Sequence, residues 1–242
     1  MIPRFFCSQP MQVGATLDLP PELAHHALRV LRLRQGAAIV LFDGTGGEYR
    51  ASLLDEGRRA SARIEAFDPI ERESPLGVTL AQALPSGDKM DWIIEKAVEL
   101  GVSSIVPLLA ERSVVRLAGE RAAKRVAHLN AVARAACEQC GRNRIPAVEA
   151  IVSLGAFLAT AVADRVQRLV LSPGGTRNLA ALAQPAYGIV LLVGPEGGWS
   201  DSEMATLRAC GWSELTLGPR ILRSETAGPA ALAALQARWG DF

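Results

Sequence analysis

Residues 217–236 read LGPRILRSETAGPAALAALQ. The second half is an Ala/Leu-rich stretch that can form a buried helix without help. The first half sets Arg220, Arg223, Ser224, Glu225 and Thr226 directly after Gly218-Pro219. A purely structural turn does not need so many hydrogen-bonding groups, so the loop is expected to hold something. Two other stretches share its make-up, LSPGGTRN at 171–178 and VGPEGGWSDSEM at 193–204. In the latter, the glycines of Gly194-Pro195-Glu196-Gly197-Gly198 let the backbone approach a flat ligand closely. Glu196 suits a cation or a hydroxyl and is poorly matched to a phosphate. The alternative for each loop alone is a tight strand-to-helix turn without a ligand.

The elements that would position these loops are legible. VTLAQAL (78–84), VSSIVPLLA, RLVLS (168–172), YGIVLLVG (187–194) and ELTLG (214–218) read as strands. The last two are continuous apolar runs, as parallel strands buried on both faces require. GDKMDWIIEKAVELG has Met90, Ile93, Ile94 and Ala97 on one helical face and Gly101 as its stop. A long helical segment covers roughly 119–140, and the S-D-S-E run at 200–203 is a capping box that starts a helix at residue 201. This alternation predicts an α/β domain with a mainly parallel sheet, whose ligands sit beyond the carboxyl ends of the strands. All three polar loops are such strand exits. The chain has no G-x-x-x-x-G-K-[ST] phosphate loop, and the glycine-rich segment after 193 comes too late in the domain for a dinucleotide fingerprint.

Residues 1–67 differ. TLDLP, AAIVLFD, EYRASLLD and SARIEAF are short strands separated by turn formers, and PELAHHALRVLRL (21–33) predicts one helix with Pro near its start. A small β-barrel follows, with a linker at 68–77 that holds two prolines, a glycine and four charges. The expected domains are therefore 1–72 and 73–242.

Of the 242 residues 49% are hydrophobic, which argues for a globular chain rather than a disordered one. MIPRFFCSQP lacks the apolar core and cleavage site of a signal peptide, and no run approaches a membrane span, so a soluble cytoplasmic protein is expected. Cys137 and Cys140 stand as CEQC without a second cysteine or histidine pair, so no metal is expected and the thiols are read as reduced. Net charge is +1, but residues 112–144 hold eight basic groups against two acids. That stretch is either a phosphate-contacting surface or a solvated helix face.

GPEGG followed by LGPRILRSETA resembles the cofactor-binding half of the SPOUT methyltransferases. More narrowly, the chain resembles the bacterial 16S rRNA (uracil-N3)-methyltransferase family. IPRFF and HALRVLR (26–32) are similar to its N-terminal start and PUA-like RNA-binding domain. KMDWIIEKAVELGV (89–102), Glu111-Arg112-Ser113 and EQCGR with Pro146 are similar to its central motifs. The resemblance implies S-adenosylmethionine as cofactor, a C-terminal trefoil knot, a homodimer, and one uridine of 16S rRNA in the small ribosomal subunit as substrate.

On those motifs the resemblance implies a cofactor pocket of Leu171, Ser172, Gly194, Pro195, Glu196, Gly197, Leu217, Gly218, Ile221, Leu222, Thr226 and Ala227. Methylating N3 requires removing its proton. Arg223 is expected to stabilise the resulting anion, with Glu225 as base or orienting group and Arg220 beside them. Glu225 could instead complement the helix N-terminus with Arg223 as its partner. Arg29, Arg32, Arg34, Arg112 and Arg142 are the expected RNA contacts, although arginines at a helix end also cap carbonyls. Rival activities are tRNA ribose 2′-O-methylation, against which the Ser-Glu-Thr segment speaks, and a non-catalytic RNA-binding assembly factor.

Overall fold

The computed structural model describes residues 2–55, 57, 59–160 and 165–242. The chain folds as two compact units. One comprises the residues up to Glu73 together with Cys137–Ile145, and the other Ser74–Ala136 with Pro146–Phe242.

In the first unit the strands are β1 (Arg4–Phe6), β2 (Thr16–Asp18), β3 (Ala38–Phe42), β4 (Glu48–Asp55) and β5 (Ala60–Asp68). They form one sheet in the order β1-β3-β4-β5-β2, parallel only between β1 and β3. Alternating apolar positions place Phe5, Leu41, Leu53 and Ile64 in its core. The helix predicted over 21–33 is only partly regular. Helix α1 (Pro21–His25) runs into a π-helical turn, His26–Val30. Arg32 then adopts φ 54°, a left-handed conformation that no helix continues through.

The predicted linker is tied down within this unit. Asn143 Nδ2 donates to the Ile70 carbonyl at 2.9 Å, Arg142 Nε donates to Glu73 at 3.0 Å, and Arg144 pairs with Glu71 at 3.2 Å. This corrects the expectation for Arg142. It is 4% exposed and its guanidinium is paired with Glu73, so it is a buried brace and presents no cation to RNA. Glu48 is the matching acid. Its Oε2 accepts from Arg4 at 2.5 Å and from Arg72 at 3.0 Å. Burial pushes this carboxyl up, but the hydrogen bonds from Arg4 and Arg72 outweigh burial and hold it below the usual carboxylate range.

The second unit holds β6 (Val78–Ala83), β7 (Ser104–Leu109), β8 (Ala147–Val148), β9 (Val152–Ser153), β10 (Gln167–Leu171), β11 (Ile189–Val193) and β12 (Ser213–Leu215). The sheet order is β12-β10-β11-β6-β7-β8, with β9 also on β7, and every pairing is parallel. Pro107 of β7 is in register with Gln82 of β6, and on the other edge it lies between the residues that pair with β8 and those that pair with β9. The strand expected over 214–218 stops at Leu215, because the chain turns through Gly218 at φ 100°.

Helices α2 (Lys89–Glu99), α3 (Gly119–Cys140), α4 (Leu154–Ala159), α5 (Asp201–Ala209) and α6 (Ser224–Trp239) connect or cover the strands. The last turn of α3 belongs to the first unit. Helix α5 begins with the predicted capping box: Glu203 N donates to Ser200 Oγ at 3.2 Å, and Ser200 N donates to Glu203 at 2.9 Å. Helix α6 packs against α2, β6 and β11. Gly228 permits this, since a Cβ there would stand 3.2 Å from Gln82 Oε1 and 3.5 Å from Leu80. Among the described residues no helix is long and apolar enough to cross a membrane, and no cluster of three or more His, Cys, Asp and Glu could hold a metal. Cys137 is buried, and burial pushes its thiol up to about 12.

Glu48→Ala would leave the Arg4 guanidinium without its counter-ion in a largely buried place. A loss of about 3 kcal/mol is expected, read as a lower denaturation midpoint. Because the carboxyl is depressed in the folded state, this contribution is complete above the unfolded carboxyl range of about 4.3 and fades as pH falls below it.

A pocket beyond the carboxyl ends of adjacent parallel strands

Because β12, β10, β11 and β6 are parallel neighbours, their exits lie side by side. A cavity of about 530 Å³ opens there, within the range of small-molecule sites. Leu171 and Ser172 line it from the β10 exit, and Gly194, Pro195 and Glu196 from the β11 exit. Leu217, Arg220, Ile221, Leu222, Arg223, Glu225 and Ala227 line it from the segment after β12. The three loops singled out in the sequence therefore converge on one space.

Three of the expected pocket residues do not line it. Gly197 packs against Arg112, to which a Cβ would come within 3.2 Å. Gly218 makes the turn at φ 100°, and Thr226 is exposed in the first turn of α6. Conversely, Lys89, Trp199, Met204, Leu215 and Ser224 line the cavity without having been predicted. Lys89 opens the helix that follows β6, the fourth adjacent strand, so the exit rule already contained the signal. Trp199 and Met204 fall within the VGPEGGWSDSEM stretch itself.

The loops are joined by Ser224. Gln82 Nε2 at the end of β6 donates to Ser224 Oγ at 3.1 Å, and that hydroxyl donates to the Gly194 carbonyl at 2.8 Å. Gln82 and Ser224 are buried, and Gly194 is half-buried, its missing Cβ leaving room for the Trp199 indole. The indole N–H is buried without a hydrogen-bond partner.

Two site expectations change. Glu196 does not face the cavity with a free carboxylate: its Oε1 accepts from Ser86 N at 3.0 Å, Ser86 Oγ at 2.7 Å and Lys89 Nζ at 3.0 Å. Burial pushes this carboxyl up, but the Ser86 and Lys89 hydrogen bonds win and hold it at about 2. Arg112, expected on RNA, donates Nη1 to the Gly197 and Trp199 carbonyls, both at 3.2 Å, and so braces the β11 exit loop. Its neighbour Glu111 accepts from Ser200 at 2.5 Å and Ser202 at 3.1 Å, locking the same loop to the β7 exit.

The proposed chemical pair stands at the cavity. Arg223 Nη1 lies 4.0 Å from Glu225 Oε1, with the arginine side chain 82% exposed and that of Glu225 18%. No side chain caps α6, and Glu225 Oε2 is buried without a hydrogen bond. Arg29, Arg32 and Arg34 are exposed in the first unit.

Comparison with known proteins adds the following. A family described as an RNA methyltransferase domain matches residues 72–236, and an RNA methyltransferase PUA domain matches 19–65. A ribosomal RNA small subunit methyltransferase E from Neisseria gonorrhoeae, crystallised bound to S-adenosyl methionine, is 42% identical over 100% of both chains with a TM-score of 0.93. A Legionella pneumophila structure in complex with the bound cofactor SAM is 38% identical over 100% of both chains, with a TM-score of 0.95. The ribosomal RNA small subunit methyltransferase E of Synechocystis sp. is 35% identical over 93% of this chain and 74% of its own length.

Ser224→Ala removes the hydroxyl that joins Gln82 to Gly194 and is expected to destabilise the protein by about 1–3 kcal/mol in chemical denaturation. Glu196 gives a pH signature. Its depressed carboxyl makes its contribution complete above about pH 4.3 and lost as pH falls through about 2. The melting-temperature gap between wild type and Glu196→Gln should be flat from about pH 8 to 5 and close below about 4.

Proposed function

As a member of the ribosomal RNA small subunit methyltransferase E family, this chain is an S-adenosylmethionine-dependent rRNA methyltransferase, and we propose that the atom it methylates is N3 of one uridine in 16S rRNA. The observation that carries the proposal is the convergence of Arg223 and Glu225 on the cavity between the three strand exits.

The residues present suit the cofactor. Leu171, Leu217, Leu222 and Met204 offer apolar walls, Gly194 and Pro195 a close backbone approach, and Trp199 an unpaired indole N–H among the lining residues. When bound, S-adenosylmethionine supplies a methyl group already activated on a sulfonium. What remains for the protein is positioning and the management of charge. The uridine N3 proton passes to Glu225 Oε1, the carboxylate oxygen on the Arg223 side, since Oε2 is buried. The anion left on N3 and the two flanking carbonyl oxygens is stabilised by the Arg223 guanidinium, whose exposed side chain can swing onto a nucleotide. The N3–methyl bond then forms as the sulfur–methyl bond breaks. Arg220, on the same cavity wall, completes the cationic rim.

RNA affinity is assigned to the exposed Arg29, Arg32 and Arg34 of the PUA-like unit, through phosphate contacts that do not choose the base. Selection of the base then rests on RNA shape and an exposed nucleotide. A homodimer, the small ribosomal subunit as its partner, a cytoplasmic location, and a trefoil-knotted path through the C-terminal strands belong to the same proposal. The sheet order β12-β10-β11-β6 supports the knotted path, because α6 leaves the β12 edge and packs back across β11 and β6.

Arg223→Ala is expected to lower methylation of small-subunit RNA by a factor of about 100–1000 while calorimetric affinity for S-adenosylmethionine stays within about threefold. Mass spectrometry of the RNA should find 3-methyluridine with wild-type protein. A ribose methyl in its place, or turnover by Arg223→Ala near the wild-type rate, contradicts the assignment.

A further inference from the structure

Three charged side chains meet on one wall of the cavity. The Nζ of Lys89, the first residue of α2, lies 3.0 Å from Glu196 Oε1 and 3.6 Å from Glu225 Oε2. The two ends of this bridge differ. At the Glu196 end the same oxygen also accepts from the Ser86 amide and hydroxyl, so the contact is fixed from several directions. At the Glu225 end the separation exceeds hydrogen-bond distance. Glu225 Oε2 is nonetheless buried, and no hydrogen bond reaches it. Among the described residues, the other ion-pair partner of this carboxylate is Arg223, 4.0 Å from its second oxygen.

A buried carboxylate oxygen without a donor is unfavourable unless a charge holds it. Arg223 is too exposed to fix it in place. That leaves the Lys89 ammonium, whose basicity is raised first by its hydrogen bond to Glu196 and then by the charges of Glu196 and Glu225.

Resting on the reading of Glu225 as proton acceptor, we infer that Lys89 is a positioning residue: anchored by Glu196, it holds the buried Oε2 of Glu225 and so leaves Oε1 turned to the cavity. The Lys89 ammonium faces the buried Oε2 at 3.6 Å, so it does not occupy Oε1, the oxygen that takes the uridine proton. The anchor is part of the Gly194–Gly198 loop. One ammonium thus ties the loop that grips the cofactor to the group that receives the proton. Lys89 acts through Glu225 and touches no reacting atom in this arrangement.

The test measures methyl transfer to small-subunit particles for wild type, Lys89→Met, Lys89→Arg, Glu225→Gln and the double variant Lys89→Met/Glu225→Gln. Calorimetry with S-adenosylmethionine and a melting curve accompany each. Lys89→Met is expected to lower kcat at least about tenfold with cofactor affinity and melting temperature near wild type, and Lys89→Arg to restore most of the rate. The double variant should be no slower than Glu225→Gln alone, as for two groups acting in series. Unchanged kcat in Lys89→Met, losses that multiply in the double variant, or a defect confined to cofactor affinity would each overturn the inference. Should Lys89→Met melt early, Lys89→Gln, which removes the charge and keeps a polar side chain, takes its place with the same readouts. A wild-type protein that takes up no S-adenosylmethionine would remove the underlying reading, and this inference with it.

Discussion

The site depends on one hydroxyl. Ser224 accepts from Gln82 and donates to the Gly194 carbonyl, and so fastens the first turn of α6 to the exits of β6 and β11 at once. Parallel strands bring their carboxyl ends together but leave the loops beyond them free. The hydroxyl turns that proximity into a fixed geometry. Arg223 and Glu225 flank Ser224 in sequence, so fixing Ser224 also sets where the guanidinium and the carboxylate can reach.

Charge in this chain is mostly committed to internal contacts. Arg4 and Arg72 converge on Glu48, Arg142 on Glu73, and Arg144 on Glu71. Arg112 braces the β11 exit loop and Arg116 donates to the Ala110 and Glu111 carbonyls. The basic excess over 112–144 therefore does not translate into a uniform phosphate-binding face. Part of it staples a loop, part closes the first unit, and part remains on α3. Buried or half-buried pairs of this kind specify one arrangement more than they add stability.

Much of the fold could be read from the sequence. A continuous apolar run gave β11, the Ser200–Glu203 box gave the start of α5, and Gly101 gave the end of α2. Local periodicity failed where the backbone leaves a regular state, as at the π-helical turn after His25 and at the early end of β12. The loops of the site were found because glycine, proline and polar residues after a strand are a local signal. The partners of Lys89, Ser224, Glu196 and Arg112 were not, because those contacts join residues far apart in the chain. Nothing local in Glu196 tells that its carboxylate answers to Ser86, and nothing local in Arg112 tells that it serves the carbonyls of Gly197 and Trp199.

The far end of α6 is held as firmly as its start. Gln236 is fully buried; its amide nitrogen donates to the Leu100 carbonyl at 3.1 Å, and its oxygen accepts from Ser74 at 2.6 Å. Twelve helical residues separate Gln236 from Ser224, about 18 Å along the axis. A rod pinned at both tips cannot slide lengthwise or roll. The polypeptide's final turns thus tie the segment at Ser74 and Leu100 to the wall of the methyl-transfer chamber through one continuous helix.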